Sequence, residues 1–89
     1  MENRIGVIGI VIDDPKKSAE SVNEILSAFS DIIIGRMGLP YQKRCLSIIS
    51  VMVDGTNERI GALCGKLGRL NGVNAKSGLS TQVFKGEEQ

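Results

Sequence analysis

Histidine is absent from this 89-residue chain. That removes the commonest general base, the Ser-His and Cys-His nucleophile pairs, and the imidazole metal ligands together. Tryptophan is absent as well, and two Phe and one Tyr are all the aromatic residues present. Any core must therefore be aliphatic, and the aromatic platforms with which a small sheet stacks on RNA bases are missing. The net charge of +1 is too small to argue for binding along a phosphate backbone. No direct nucleic-acid binding is expected. The only cysteines, Cys45 and Cys64, stand nineteen residues apart. They form neither a disulfide framework nor a Cys-x-x-Cys metal pair, so no metal and no cofactor are expected, and both thiols read as reduced in a cytoplasmic protein. The N-terminal run "RIGVIGIVI" is too short to cross a bilayer and stops at Asp13-Asp14. No signal peptide or membrane contact is expected.

What is present is a set of apolar runs with clear punctuation. Residues 4–12 are continuous and rich in β-branched side chains, which predicts a strand. Asp14 and Pro15 then stand at N-cap and first-turn positions, and Ala19, Val22, Ile25, Leu26 and Phe29 recur at helical spacing over 15–29. A second strand is expected over 31–37, a Gly- and Pro-marked loop over 38–44, and a third strand over 45–54. Ile60, Leu63, Cys64, Leu67 and Leu70 predict a second helix over 56–70, with Asn71-Gly72 ending it. A more polar last strand is expected over 73–84, followed by a frayed tail. The order β-α-β-β-α-β over one domain, residues 1–89, points to an α+β ferredoxin-like sandwich. In it, two helices cover one face of a four-stranded antiparallel sheet.

The strands do not alternate as a sheet with one wet face should. Ile5, Val7 and Val11 oppose Ile8, Ile10 and Ile12; Leu46, Ile48 and Met52 oppose Ile49, Val51 and Val53; Ile32 and Ile34 oppose Ile33 and Met37. An apolar patch of that size on a soluble protein usually marks an interface. Ile32, Ile34, Ile48 and Met52 are thus candidate interface residues, and a second copy of the chain is the simplest cover. An unpaired edge strand offers a second self-contact, so a homodimer is expected, or a homotetramer where both surfaces are used. The bland alternative is a tolerated hydrophobic outer face. Gly61, Gly65 and Gly68 fall on one narrow stripe of the second helix and suggest close backbone approach, to the first helix or to a neighbouring subunit.

The chemistry-bearing residues are few. Cys64 lies in an apolar arc and reads as a small core residue. Cys45 stands beside Lys43 and Arg44, where a thiol is open to redox chemistry. Asp13, Asp14, Asp31 and Asp54 fit caps and turns. Gly6-Val7-Ile8-Gly9 lies within a strand, not after one, and is no dinucleotide fingerprint. Arg36 is different. Set between Gly35 and Met37 on an edge strand, it is placed to clamp a carboxylate or phosphate, to pair across an interface, or to guard the edge with its charge.

The segments "RIGVIGIVI", "IIIGRMGLPY", "SIISVMVDG" and "IGALCGKLGRLNGV" resemble the iron-only hydrogenase system regulators over nearly the whole chain. Gly35-Arg36-Met37-Gly38 with Pro40-Tyr41, and Lys66 to Leu70, are the most specific parts of the likeness. The resemblance implies an ACT-like fold, related in shape to the C-terminal sensor domain of the nickel-responsive repressor, and self-association. That relative's nickel site uses histidines with a cysteine and does not carry over. Its ribbon-helix-helix DNA-binding module is not expected here either, so action on a promoter would require a partner.

The resemblance also implies a small anionic ligand, such as an amino acid, held between subunits near the first strand-to-helix turn. Gly35, Arg36, Met37, Gly38, Tyr41 and Asp13 are the candidate contacts. Two other readings stand beside this sensor: a ligand-free scaffold oligomer acting by protein contact, and an acylphosphatase-like enzyme. The last needs an arginine in the loop after the first strand, where this chain has "DDPKK". The chain is therefore read as a non-enzyme.

Overall fold

The β-branched N-terminal run forms β1 (Glu2–Ile12). The computed structural model describes residues 2–80 and 82–85. Residue 81 and most of the tail expected to fray lie outside the described residues. After β1, Asp14 opens α1 (Pro15–Ala28) with its carbonyl, which accepts from the N–H groups of Lys17 and Ser18, both at 3.1 Å. Its side chain makes no cap bond, and Pro15 occupies the first turn, where its missing N–H has no helical partner to lose. The chain then turns through Phe29–Ile32 into β2 (Ile33–Tyr41), a short 3-10 turn (Gln42–Arg44), and β3 (Leu46–Gly55). The Oγ1 of Thr56 caps α2 (Asn57–Gly68) by accepting from the Arg59 N–H at 3.1 Å. Gly72, at φ +74°, turns the chain into β4 (Val73–Leu79). A two-residue strand, β5 (Phe84–Lys85), pairs with the start of β1.

The strands lie in the order β2-β3-β1-β4, all pairings antiparallel, with β1 and β3 central. This is the α+β ferredoxin-like βαββαβ arrangement. Ile8, Ile10 and Ile12 of β1 and Ile49, Val51 and Val53 of β3 are buried in one cluster with Val22 and Leu26 of α1 and Ile60, Leu63 and Leu67 of α2. Both helices therefore cover the same face. Fully burying each such aliphatic side chain contributes about 1.5–3 kcal/mol, which is how a core without aromatic bulk is assembled.

Several boundaries differ from those read in the sequence. The second strand starts at Ile33, not 31, and runs through Gly38-Leu39-Pro40 to Tyr41 rather than ending at 37. Pro40 is tolerated because β2 is an edge strand and its missing N–H breaks no ladder on the outer side. The last strand ends at Leu79, and residues 80, 82 and 83 are not part of it.

Ile32 is not an interface residue. It is buried in the core, and its carbonyl accepts from the Asp54 N–H at 2.9 Å. The alternation along β2 also breaks. Ile33 pairs with Val53 and Gly35 with Met52, so a bulge at Ile34 shifts the register by one residue. Ile33 consequently faces the helices while Met37 faces away, on opposite sides rather than the same one. Ile34 is the extra residue and is 63% exposed.

Gly61, Gly65 and Gly68 are exposed, and a Cβ at any of them would meet nothing within 4 Å. Within the chain, the stripe does not serve close approach of α2 to α1. Gly6 does serve a close approach: a Cβ there would lie 2.8 Å from the Gly78 carbonyl oxygen and would collide with the Leu79 side chain.

Candidate functional site

The helices cover the two central strands and leave the edge strand β2 largely bare. After the bulge, cross-strand pairing puts Arg36 opposite Val51, Gly38 opposite Ile49 and Pro40 opposite Ser47, all on the helix side. Between these residues and α1 runs a groove of about 290 Å³. Ala19 and Asn23, one helical turn apart, line it from α1; Arg36, Gly38 and Pro40 from β2; Ser47 and Ile49 from β3; Ile12 from β1. The groove owes its room to small residues. Gly38 would carry a Cβ into empty space, and Ala19 is the smallest side chain on the helix wall.

Arg36 marks one end of this groove. Its Nη2 donates to Asn23 Oδ1 at 3.0 Å, and its other N–H groups make no hydrogen bond among the described residues. Among the described residues no carboxylate lines the groove. Its local charge is therefore positive, its centre apolar (Ile12, Ala19, Ile49), and its polar groups an arginine fork, an amide and the Ser47 hydroxyl. A fork of this kind is suited to a carboxylate or phosphate held by two parallel bonds. The volume is at the lower end of small-molecule sites.

A second hollow, of about 470 Å³, shares Pro40 and Ser47 with the first and reaches the start of α1, with Lys16, Gln42 and Cys45 on its lining. Cys45 is exposed and holds a left-handed backbone, φ 56°. Cys64 is half-buried and packs against the core.

The structure divides the six ligand candidates read from the sequence. Arg36 and Gly38 meet in the groove. Gly35, Met37 and Tyr41 pair with Met52, Ser50 and Leu46 on the opposite, helix-free face. Gly35 has its own reason there, since a Cβ would come within 3.3 Å of the Met52 methyl. Asp13 lies at the β1–α1 junction outside the groove, with its backbone N–H donating to the Gly72 carbonyl at 2.7 Å. Sequence reasoning missed Asn23, Ala19 and Ser47. Asn23 carried a signal, being a weak helix former in the middle of a helix and one turn from the smallest residue of that face.

The helix-free face is apolar across three strands. Val7 and Val11 of β1, Ile48 and Met52 of β3, and Met37 and Leu39 of β2 share it by register. Met37 is 71% exposed, Leu39 55% and Val7 46%. Among the described residues no helix is long and apolar enough to cross a membrane, and no group of three His, Cys, Asp or Glu could hold a metal ion.

Fold and groove together define a small α+β ferredoxin-like domain with a ligand-sized cleft at the edge of its sheet. The chain belongs to the TM1266-like family, described as "Iron-only hydrogenase system regulator, putative", whose family model matches residues 4–77. That span contains every residue lining the groove. Among solved structures the chain is similar to the uncharacterized protein TM1266 from Thermotoga maritima, with 38% identity and a TM-score of 0.83, over 86% of this chain and 96% of that one. No curated protein matches the chain.

Proposed function

We propose that this chain is an ACT-like ligand-sensing module of the iron-only hydrogenase system, a cytoplasmic, non-enzymatic homo-oligomer that responds to a small anionic molecule. The observation that carries this reading is the α1–β2 groove, with an arginine at one end, an apolar centre and no acid on its walls. A ligand with a carboxylate and a short apolar body matches that pattern. An amino acid matches it less well, because among the described residues no carboxylate lines the groove to pair with its ammonium group. The groove lies between α1 and an edge strand, so a ligand there would join two elements that otherwise touch sparingly. Its output would pass through protein contact, on transcription or on hydrogenase maturation, with no direct nucleic-acid binding.

The test is native mass spectrometry of the protein purified without added ligand, beside the same sample denatured, followed by thermal shift with a panel of small carboxylates. The sensor reading expects extra non-covalent mass or a carboxylate-dependent rise in Tm, and loss of either in Arg36→Ala. A bare wild-type protein that no carboxylate stabilises overturns it. The second reading, a ligand-free scaffold, is favoured by the broad apolar face opposite the helices.

A further inference from the structure

We infer that the helix-free sheet face is where two copies of this chain meet, face to face, around the Gly9–Ser50 pair. This rests on the self-association in the proposed function and uses none of the groove's polar side chains, although Leu39 and Ile48 line the groove as well. Gly9 and Ser50 are cross-strand partners at the middle of that face. The Val7–Met52 pair lies on one side of them and the Val11–Ile48 pair on the other. The result is a shallow dip of two small side chains, bounded along the strands by apolar pairs and across them by Met37 and Lys76.

Among the described residues nothing explains a glycine at the bottom of this dip. Gly9 does not need a left-handed backbone, and a Cβ on it would meet nothing within 4 Å. Glycine inside a central strand weakens it and leaves a gap in the pleated surface. An unforced glycine on an exposed apolar face is explained by the close approach of another surface. Gly6, three residues earlier, is the contrast: its missing side chain is accounted for by Gly78 and Leu79.

The occupant is a second copy because area and charge both suit one. Four strands at about 4.8 Å spacing and about 3.3 Å per residue present roughly 500 Å² in projection over eight residues. Side-chain relief raises the accessible area toward the roughly 800 Å² per partner of a standard interface. The apolar side chains cluster on β1, β2 and β3. The charged residues on this face are Asp54, at its end, and Lys76, which stands on the outer strand β4 directly across from Gly9 and whose long stem lets the ammonium reach the wet rim. With both of these charges able to stay in water, the apolar part of β1, β2 and β3 meets its own copy without burying an unpaired ion.

The experiment is light scattering on the eluting wild-type protein and on Gly9→Arg, with Met37→Glu as a second variant, at a site outside the groove and exposed enough to leave folding intact. Circular dichroism checks the fold of each. The expected result is a wild-type mass of at least twice 9.6 kDa, and loss or halving of that mass in the folded variants. A wild-type monomer overturns both the face assignment and the self-association it rests on. A wild-type oligomer whose mass survives in the folded variants overturns the face assignment alone and leaves another surface, such as the β2 edge, as the contact. The ligand reading fails or stands on its own assay, since neither variant touches the groove's arginine or amide.

Discussion

Arg36 Nη2 donates to Asn23 Oδ1 at 3.0 Å, tying the exposed edge strand to the helix across the mouth of the groove. This bond joins the guanidinium to an uncharged amide, so it orients the fork without neutralising it. Arg36→Ala and Asn23→Ala should each change stability by no more than about 0.5 kcal/mol, as exposed substitutions do. Their effects on carboxylate binding should differ. Arg36→Ala should abolish the thermal shift, whereas Asn23→Ala should weaken it by releasing the fork from its fixed position. Equal, full retention of binding in both would remove the guanidinium from the site.

Gly38 provides an independent test of the same groove. Its Cβ position is open, and a strand suits a β-branched residue. Gly38→Val should therefore fold as well as wild type or better. It should also fill the space between Ala19 and Ile49 and block any ligand there. Thermal shift with and without carboxylate separates the two effects: a higher ligand-free Tm with no ligand response is expected. A variant that still responds would place the ligand elsewhere.

The two glycines of "GVIG" should behave oppositely. Gly6→Ala drives a methyl against the Gly78 carbonyl and the Leu79 side chain, at the junction of β1 and β4. Overpacking of this kind costs about 1–3 kcal/mol. Gly9→Ala meets nothing and removes a flexible residue, so the dissociated chain should gain about 0.5–1 kcal/mol. Urea unfolding in dilute solution reads both. A similar loss from each would mean that Gly9 is confined within the chain after all.

Much of this fold is legible in the sequence because local and long-range signals agree. The runs Ile8–Ile12 and Ile49–Val53 alternate correctly, and Val22, Leu26, Ile60, Leu63 and Leu67 fall on the buried stripes that their spacing predicts. The register of β2 is not legible. A strict period of two places Ile33 and Met37 on one face, but the bulge at Ile34 inserts a residue and turns everything beyond it over. The glycine at 35 was the available sign, since an isolated glycine within a strand often marks a bulge. The same inversion explains why only two of the six ligand candidates share the groove: neighbours in sequence on a strand face opposite ways. Asn23 and Ser47 could be joined to Arg36 only through the packing of α1 on the sheet, which no spacing rule contains.

Cys45 occupies a left-handed backbone position, φ 56°, where the 3-10 turn enters β3. A side chain with a Cβ is strained there by about 1–2 kcal/mol, while glycine is not. Cys45→Gly should stabilise the fold by about 0.5–1 kcal/mol after the added freedom of the unfolded chain is subtracted. In the wild type, the exposed Cys45 should react with a thiol reagent well before the half-buried Cys64. Single-cysteine variants assign the two phases. A slower Cys45 would contradict its exposure and leave it no part in redox response.

Arg59 offers the last test, of what holds the start of α2 to the turn before β2. Its Nη2 donates to Asp31 Oδ1 at 2.5 Å, and its guanidinium carbon lies 4.8 Å from the centre of the Phe29 ring. Both partners of the ion pair are largely in water, which limits the pair to about 0.2–1 kcal/mol and makes it sensitive to salt. The ring contact adds about 0.5–1 kcal/mol and depends less on salt. Asp31→Asn should therefore cost less than Arg59→Ala, and high salt should erase the cost of the first but only part of the second. Urea unfolding at low and high ionic strength measures both differences. If the two variants lost the same stability at every salt concentration, the Phe29 contact would contribute nothing and the ion pair alone would fasten the turn.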